Sequence, residues 1–212
     1  MIEYKNYLFD ADGTLIDTIE LIVQSFTYSC RKYGDIVPER GTIIKDIGRP
    51  LSQQIELYLG KLTKEKKAEI LQEFRSYQLN IYQKSLTAFD NVQQTLAKLK
   101  SAGKKLAIVT SRKSDTAIIY LKHVGIFDFF DAIVTPESTD EHKPNPQPAF
   151  KALELLEGDP KYSVFIGDSY FDIKCGQQAG MDTIFVSWSH NDPREINPGP
   201  TFIIDDMTEL YA

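Results

Sequence analysis

The stretch YLFDADGTLIDT, residues 7–18, places an apolar run directly before three aspartates, two of which flank a single alanine. Asp10 and Asp12 are two positions apart, so on an extended backbone their side chains point the same way. Carboxylates crowded at the end of an apolar strand repel each other unless a cation or a proton separates them. This stretch therefore predicts a buried strand that ends in a charged site.

Further short apolar runs follow, and each of them ends in polar or small residues. We interpret them as buried strands over 106–109, 132–134, 164–166, 183–186 and 202–204. Stretches with helical periodicity lie at 89–102, 114–123, 146–156 and 170–179. Alternating strands and helices are typical of a parallel sheet with right-handed crossovers. The predicted fold class is therefore α/β, a three-layer Rossmann-like core with a central parallel sheet.

The long gap between the first two strands interrupts this alternation. It is mostly helical, with amphipathic or helix-forming stretches over 16–33, over 51–59 and from Lys64 onward. We interpret residues 16–85 as an inserted helical subdomain, and 1–15 with 86–212 as the α/β core.

Composition limits the possible functions. A chain of 212 residues with 42% hydrophobic content can bury one full core and a small second one. A net charge of −6 without a basic run argues against a nucleic-acid partner. No signal-peptide pattern opens the chain, and no apolar segment reaches the ~18 residues that a membrane span needs. We expect a cytoplasmic protein with no membrane partner.

The residues that end the predicted strands carry the candidate chemistry, because ligands of such sheets bind outside the carboxyl ends of the strands. If the strands are neighbours, one edge of the sheet collects Asp10, Asp12, Gly13, Thr14, Thr110, Ser111, Lys143, Asp168 and Asp172.

This set of side chains suits phosphoryl chemistry. Hard oxygen ligands with no Cys or His nearby favour Mg²⁺, which would also neutralise the crowded aspartates. One carboxylate can act as a nucleophile and form an aspartyl-phosphate, while a second transfers a proton. Lys143 and the Thr110 hydroxyl can hold phosphoryl oxygens, and Gly13 permits a tight turn whose amides face an anion.

Four segments resemble, in order, the motifs of the haloacid dehalogenase superfamily: FDADGTLIDT, LAIVTSRK, HKPNPQP and VFIGDSYFDI. The helical insertion resembles the α-helical cap domain of that superfamily, so the resemblance covers nearly the whole chain. The nearest resemblance is to phosphoglycolate phosphatase-like and pyrophosphatase-like members with a small cap.

The resemblance implies a role for each motif residue. Asp10 would be the nucleophile, Asp12 the general acid/base, and Thr110 and Lys143 the residues that bind the phosphoryl group. Mg²⁺ would be held by Asp10, Asp168 and the main-chain carbonyl of Asp12, with Asp172 as an indirect partner. Gly13, Thr14 and Ser111 are assigned to substrate binding, although Ser111 fits a plain loop hydroxyl equally well.

Several alternatives stay open within and outside the superfamily. Dehalogenase and phosphonate-cleaving members lack the second aspartate, which is present here as Asp12. Phosphomutases often carry valine at the position of Thr14, so hydrolysis is favoured over mutase activity. Response-regulator receivers also use an aspartate, Mg²⁺, a hydroxyl and a lysine, but a base two residues beyond the acceptor would hasten loss of the phosphoryl group.

The substrate is expected to be a small phosphorylated metabolite: phosphoglycolate, pyrophosphate, a nucleoside monophosphate or a sugar phosphate. Arg49, between Gly48 and Pro50 in the helical insertion, is predicted to contact a second anionic group of this substrate, the alternative being a solvated surface charge. The predicted assembly is a monomer or a weak homodimer.

Overall fold

The computed structural model describes residues 4–47 and 49–211, and its backbone is dominated by short buried strands and longer helices. The strands in chain order are β1 (Asn6–Phe9), β2 (Ile16–Asp17), β3 (Thr87–Ala88), β4 (Lys105–Val109), β5 (Ala132–Val134), β6 (Ser163–Gly167), β7 (Asp182–Val186) and β8 (Phe202–Ile204). The α-helices are α1 (Ile19–Tyr33), α2 (Arg40–Lys45), α3 (Leu51–Leu59), α4 (Lys64–Ser85), α5 (Val92–Ser101), α6 (Ser114–His123), α7 (Gln147–Leu156) and α8 (Tyr170–Gln178).

Six of the strands form one parallel sheet in the order β5-β4-β1-β6-β7-β8. Strand β1 lies in the middle, with Phe9 in register with Ile108 of β4 and Ile166 of β6. The amide of Asp10 continues this pairing by donating to the Ile166 carbonyl at 2.9 Å. The carboxyl end of β1 therefore lies between the ends of β4 and β6.

Helices cover the sheet on both faces, as the predicted three-layer architecture requires. Helices α7 and α8 pack over Leu8, Val109 and Phe165 in one continuous apolar cluster. Successive strand residues alternate between faces, so Phe9 and Ile108 point to the opposite face, where α5 packs against β4. The parallel α/β sheet predicted from the apolar runs is confirmed.

The chain forms two compact units. One consists of the segments up to Asp17 and from Thr87 onward, and the other is the segment Thr18–Leu86. The first unit contains the sheet, together with β2 and β3, which pair antiparallel at the two points where the chain leaves and re-enters this unit. Residues 16–17, predicted within the helical insertion, lie in the first unit, and Leu86, predicted in the core, ends the second. A pair of two-residue strands is too short to show a periodicity in the sequence.

The second unit is helical and has an apolar core of its own, built from Val23, Phe26, Ile43, Ile55, Ile70 and Phe74. Three of its helices match predicted stretches, and α2 was not predicted. Helix α2 has six residues, among them a glycine and three β-branched residues with weak helix propensity. Its Ile43 is fully buried, so tertiary packing rather than propensity accounts for this helix.

Across the part of the chain that is described, no helix is both long enough and apolar enough to span a membrane.

Candidate active site

Three aspartates meet at the carboxyl end of the sheet. Asp10 directly follows β1, Asp168 directly follows β6, and Asp172 lies in the first turn of α8. All three are buried, and each offers a carboxylate oxygen within 4.8 Å of the other two. Because β1 and β6 are adjacent, the parallel topology itself brings Asp10 and Asp168 together.

Lys143 supplies the positive charge of this cluster. Its ammonium donates to Asp10 Oδ1 at 2.7 Å, to Asp172 Oδ1 at 2.6 Å and to the Val109 carbonyl at 3.0 Å. Only 5% of the side chain is exposed. Burial lowers the pKa of Lys143, but the two carboxylates outweigh this and raise it above its ordinary value. The lysine is therefore a permanent cation with all three ammonium hydrogens engaged.

The cluster holds three carboxyl groups and one ammonium group. Burial raises the pKa of Asp10 to about 7, with Lys143 opposing the shift and Asp172 and Asp12 adding to it. Burial also raises the pKa of Asp168 well above its ordinary value, and the charges of Asp172 and Asp10 add to this shift. Three hard carboxylate donors that face a single ammonium in a buried space fit a divalent cation of the Mg²⁺ type.

Asp172 divides its two oxygens between the helix and the lysine. Oδ2 accepts from the Ser169 amide at 3.1 Å and from the Ser169 hydroxyl at 2.5 Å, which caps α8 at its first turn. Oδ1 accepts from Lys143. Since both oxygens already have partners, this arrangement suits an indirect role for Asp172 beside a cation.

Asp12 pairs with Arg112 and not with Lys143, and Arg112 was not predicted as a site residue. Arg112 donates from Nε to Asp12 Oδ2 at 3.0 Å and from Nη2 to Asp12 Oδ1 at 2.6 Å. The guanidinium also lies over the Tyr120 ring, 4.4 Å from its centroid. Burial lowers the pKa of Arg112, but Asp12 outweighs this and raises it. In the sequence, the one indication of this partner was the position of Arg112, two residues after Thr110 in the segment TSR at the end of a predicted strand.

The predicted hydroxyl residues occupy different surroundings. Thr110 is buried, and its Oγ1 accepts from the Arg112 amide at 3.1 Å. Ser111, the next residue, is exposed. Thr14 is fully buried, and among the described residues its Oγ1 finds no hydrogen-bond partner. Of the three hydroxyls, Thr110 and Thr14 thus lie inside the strand-end region, and Ser111 lies at its surface.

Gly13 lies against the aspartate cluster. Its φ of +82° is in the region that L-residues avoid, and a Cβ built on it would come within 2.4 Å of Asp168 Oδ2. A side chain at this position would therefore displace a carboxylate of the cluster. This is a steric reason for glycine here, in addition to the turn that the sequence predicts.

Polar contacts from the segment after β7 also reach the site. Ser189 and Asn191 both donate to Asp168, and Trp188 donates from Nε1 to the Thr14 carbonyl at 3.3 Å. None of these three residues was predicted, because nothing in the local sequence SWSHND indicates a site.

Arg49 belongs to the helical unit. Its Nε donates to Asp46 Oδ1 at 2.9 Å, and 58% of its side chain is exposed. The neighbouring Gly48 lies outside the described residues. A surface ion pair of this kind leaves part of the guanidinium open to solvent.

A doubly wound parallel sheet with buried carboxylates and a lysine at its carboxyl edge defines an α/β enzyme with an acidic, cation-accepting active site. The chain belongs to the haloacid dehalogenase-like hydrolases, whose family model matches residues 7–186. The sequence resemblance to this superfamily is thereby confirmed, and the protein is a hydrolase of phosphoric esters.

Individual relatives extend over nearly the whole chain. It is 35% identical over 204 residues to "Pyrophosphatase PpaX" of Bacillus velezensis, covering 96% of this chain and 93% of that protein. It is 33% identical over 210 residues to "Pyrophosphatase PpaX" of Bacillus cereus, with 99% and 95% covered. Among solved structures, a "predicted phosphoglycolate phosphatase" from Haemophilus somnus superposes with a TM-score of 0.89 at 25% identity, covering 99% of this chain and 97% of that one.

Proposed function

We propose that the protein is a Mg²⁺-dependent phosphatase that hydrolyses a small cytoplasmic phosphorylated metabolite through an aspartyl-phosphate on Asp10. The observation that carries this proposal is the position of Asp10, which shares Lys143 with Asp172 and lies within reach of Asp168. A nucleophile in these surroundings is fixed in orientation and kept away from bulk water.

The first half-reaction transfers the phosphoryl group to the enzyme. A carboxylate oxygen of Asp10 forms a bond to phosphorus as the bond from phosphorus to the leaving oxygen breaks, and Asp12 in its protonated form gives that oxygen a proton. In the second half-reaction Asp12 takes a proton from water, the water oxygen bonds to phosphorus, and Asp10 leaves as a free carboxylate. Phosphate and the dephosphorylated product are released.

Asp10, Asp168 and the main-chain carbonyl of Asp12 are the groups that would hold Mg²⁺, with Asp172 as an indirect partner. When bound, the ion supplies positive charge that offsets the carboxylates and the phosphoryl oxygens. Lys143 contributes a second positive charge that attracts the phosphoryl oxygens, and the Thr110 hydroxyl can donate a hydrogen bond to one of them. Gly13, Thr14 and Ser111 line the substrate side of the same strand ends in this proposal.

Pyrophosphate is the first substrate to test. This choice rests on relatives that are 33% and 35% identical over more than nine-tenths of the chain and are named as pyrophosphatases. Phosphoglycolate comes second, because the solved structure with that name is only 25% identical. Both are small anions with an additional negative group next to the scissile bond.

The decisive experiment measures phosphate release from pyrophosphate, phosphoglycolate, a sugar phosphate and p-nitrophenyl phosphate, with Mg²⁺ and with excess chelator. We expect activity only with Mg²⁺, and inhibition by Ca²⁺, whose larger and less regular coordination ties up the nucleophile. Asp10→Asn should abolish both turnover and the hydroxylamine-sensitive phosphoenzyme. Asp128→Asn, which alters an exposed aspartate of the α/β unit, is the matched control. Full activity in chelator, or a phosphoenzyme on the Asp10→Asn protein, would refute the proposal.

Arg49 is proposed to bind the second anionic group of the substrate through its exposed guanidinium. Arg49→Ala should raise the KM for pyrophosphate far more than that for p-nitrophenyl phosphate, whose leaving group has no such anion. Arg40→Ala is the control, since Arg40 is an exposed arginine of the same helical unit that pairs with Glu20. Equal effects on the two substrates would remove Arg49 from substrate binding.

A further inference from the structure

The segment 187–191, which follows β7, contacts two other strand ends of the α/β unit. Strand β7 pairs with β6, with Gly167 and Phe185 in register, so this segment begins beside Asp168. Its side chains then contact Asp168 and the Thr14 carbonyl, which belong to the segments after β6 and β1. One segment thus joins both loops that carry the aspartates of the active site.

Ser189 and Asn191 each contact two atoms of Asp168, the backbone carbonyl oxygen and Oδ2. The Ser189 hydroxyl oxygen lies 3.0 Å from the Asp168 carbonyl oxygen and 3.1 Å from Asp168 Oδ2, so its single hydrogen is shared between the two acceptors. Asn191 Nδ2 lies 3.0 Å from the same carbonyl and 3.4 Å from the same Oδ2. The Asp168 carbonyl oxygen can only accept, so the Ser189 hydroxyl and the side-chain amide nitrogen of Asn191 are the donors to it.

These donors restrain Asp168 at both ends of its side chain. A hydroxyl and an amide that hold the backbone carbonyl and one carboxylate oxygen together limit rotation about both side-chain torsions. The backbone amide of Asn191 also donates to Ser189 Oγ at 3.0 Å, which fixes the two residues relative to each other. The remaining carboxylate oxygen, Oδ1, receives none of these hydrogen bonds.

Trp188 anchors the same segment to the loop after β1. Its indole donates to the Thr14 carbonyl, and its ring lies 6.0 Å from the Phe89 ring between centroids. A large ring with a hydrogen bond at one end is a rigid support. The position of Ser189 and Asn191 is therefore tied to the loop that carries Asp10 and Asp12.

We propose that Ser189 and Asn191 are positioning residues that hold the Asp168 carboxylate in the orientation needed to bind the divalent cation. The inference rests on the proposed function, because it takes Asp168 as a cation ligand. Residues that hydrogen-bond to metal ligands typically change metal affinity by about 10–100-fold when they are removed. They touch neither the phosphoryl group nor the cation in this proposal.

The test measures Mg²⁺ binding to the metal-free protein by titration calorimetry, and the Mg²⁺ dependence of turnover. Ser189→Val and Ser189→Thr form a matched pair, because the two side chains have nearly the same shape and only threonine keeps the hydroxyl. We expect the valine variant and Asn191→Leu to weaken Mg²⁺ binding by about 10-fold each, and both together by up to about 100-fold. Ser189→Thr should stay closer to the wild type, and kcat at saturating Mg²⁺ should change little in every variant.

Ser187→Ala is the control within the same segment, since the Ser187 side chain is exposed and its backbone amide, which the substitution keeps, donates to the Ile204 carbonyl. If the wild type binds Mg²⁺ and Ser189→Val binds it as tightly as Ser189→Thr, the positioning role is wrong. A lower melting temperature with unchanged Mg²⁺ affinity would likewise assign these residues to loop stability alone. If the wild type itself binds no Mg²⁺, the proposed function fails instead.

Discussion

Arg112 and Asp12 form a two-point ion pair, with Nε 3.0 Å from Oδ2 and Nη2 2.6 Å from Oδ1. The arginine side chain is 12% exposed and the aspartate 23%, so the pair lies at the inner wall of the site. Two parallel hydrogen bonds fix the plane of the carboxylate as well as its charge. The proposed general acid/base is therefore held by a residue from a neighbouring strand end.

Replacing Arg112 should slow the proton-transfer steps. In Arg112→Ala the Asp12 carboxylate loses the two hydrogen bonds that fix its orientation. We expect kcat for pyrophosphate to fall by about 10–100-fold, toward the low end of the contribution that a positioned acid/base makes. The loss should be smaller for p-nitrophenyl phosphate, whose leaving group needs little protonation. Arg112→Lys should be intermediate.

The control for this prediction is Arg194→Ala. Arg194 also makes two-point contacts with an aspartate, Asp192, but its side chain is 88% exposed. It should leave activity unchanged. Unaltered turnover in Arg112→Ala would show that Asp12 needs no such partner.

Removing Asp12 itself should separate the two half-reactions. Asp12→Ala keeps the nucleophile but loses the proton carrier, so turnover should fall by roughly 10²–10⁴. Because hydrolysis of the aspartyl-phosphate also needs the base, a phosphoenzyme formed with an activated substrate should persist longer than in the wild type. Rapid quenching followed by intact-protein mass spectrometry measures its lifetime. A lifetime equal to that of the wild type would contradict the assignment.

Gly13→Ala should lower Mg²⁺ affinity and turnover as well as the stability of the fold. Positive φ costs an alanine about 1–2 kcal/mol, and the new Cβ would also press on Asp168 Oδ2. We expect lower stability together with a loss of Mg²⁺ affinity and turnover of at least 10-fold, since a displaced ligand weakens the metal site.

Gly103→Ala is the matched control for this substitution. Gly103 has a similar φ of +74°, but nothing lies within 4 Å of its built Cβ. It should lose stability to a similar backbone strain while keeping full activity. Equal activity losses in the two variants would mean that contact with Asp168 plays no part.

The metal-free protein should become less stable as the pH rises. Burial raises the pKa of Asp10 to about 7, well above its value in an unfolded chain. The folded state therefore holds this proton more tightly, and the resulting stability is fully present near pH 4 and is lost as the pH rises to about 7. Asp168, whose pKa is also raised, acts in the same direction.

Melting temperatures in chelator between pH 5 and pH 8 test this prediction. We expect them to fall with pH, Mg²⁺ to restore stability at the upper end, and Asp10→Asn to flatten the fall. Asp128→Asn should follow the wild-type curve. A melting temperature that rises with pH in chelator would contradict the predicted sign.

The sequence alone was sufficient to predict the parallel sheet, because each strand is a short apolar run that ends in a small or polar residue. Once the strands are parallel, their carboxyl ends must share one edge, so local patterns around Asp10, Thr110 and Asp168 already imply a common site. The charge of that site was predictable for the same reason, since crowded carboxylates at a buried edge need a cation.

Only the tertiary structure decided which side chains hydrogen-bond to the predicted site residues. Arg112 reaches Asp12, Ser189 and Asn191 reach Asp168, and Trp188 reaches the Thr14 carbonyl. These partners are separated by 21 to 174 positions along the chain. Sequence periodicity reports which face of an element is buried, whereas the direction in which a loop side chain points depends on how the whole sheet has folded.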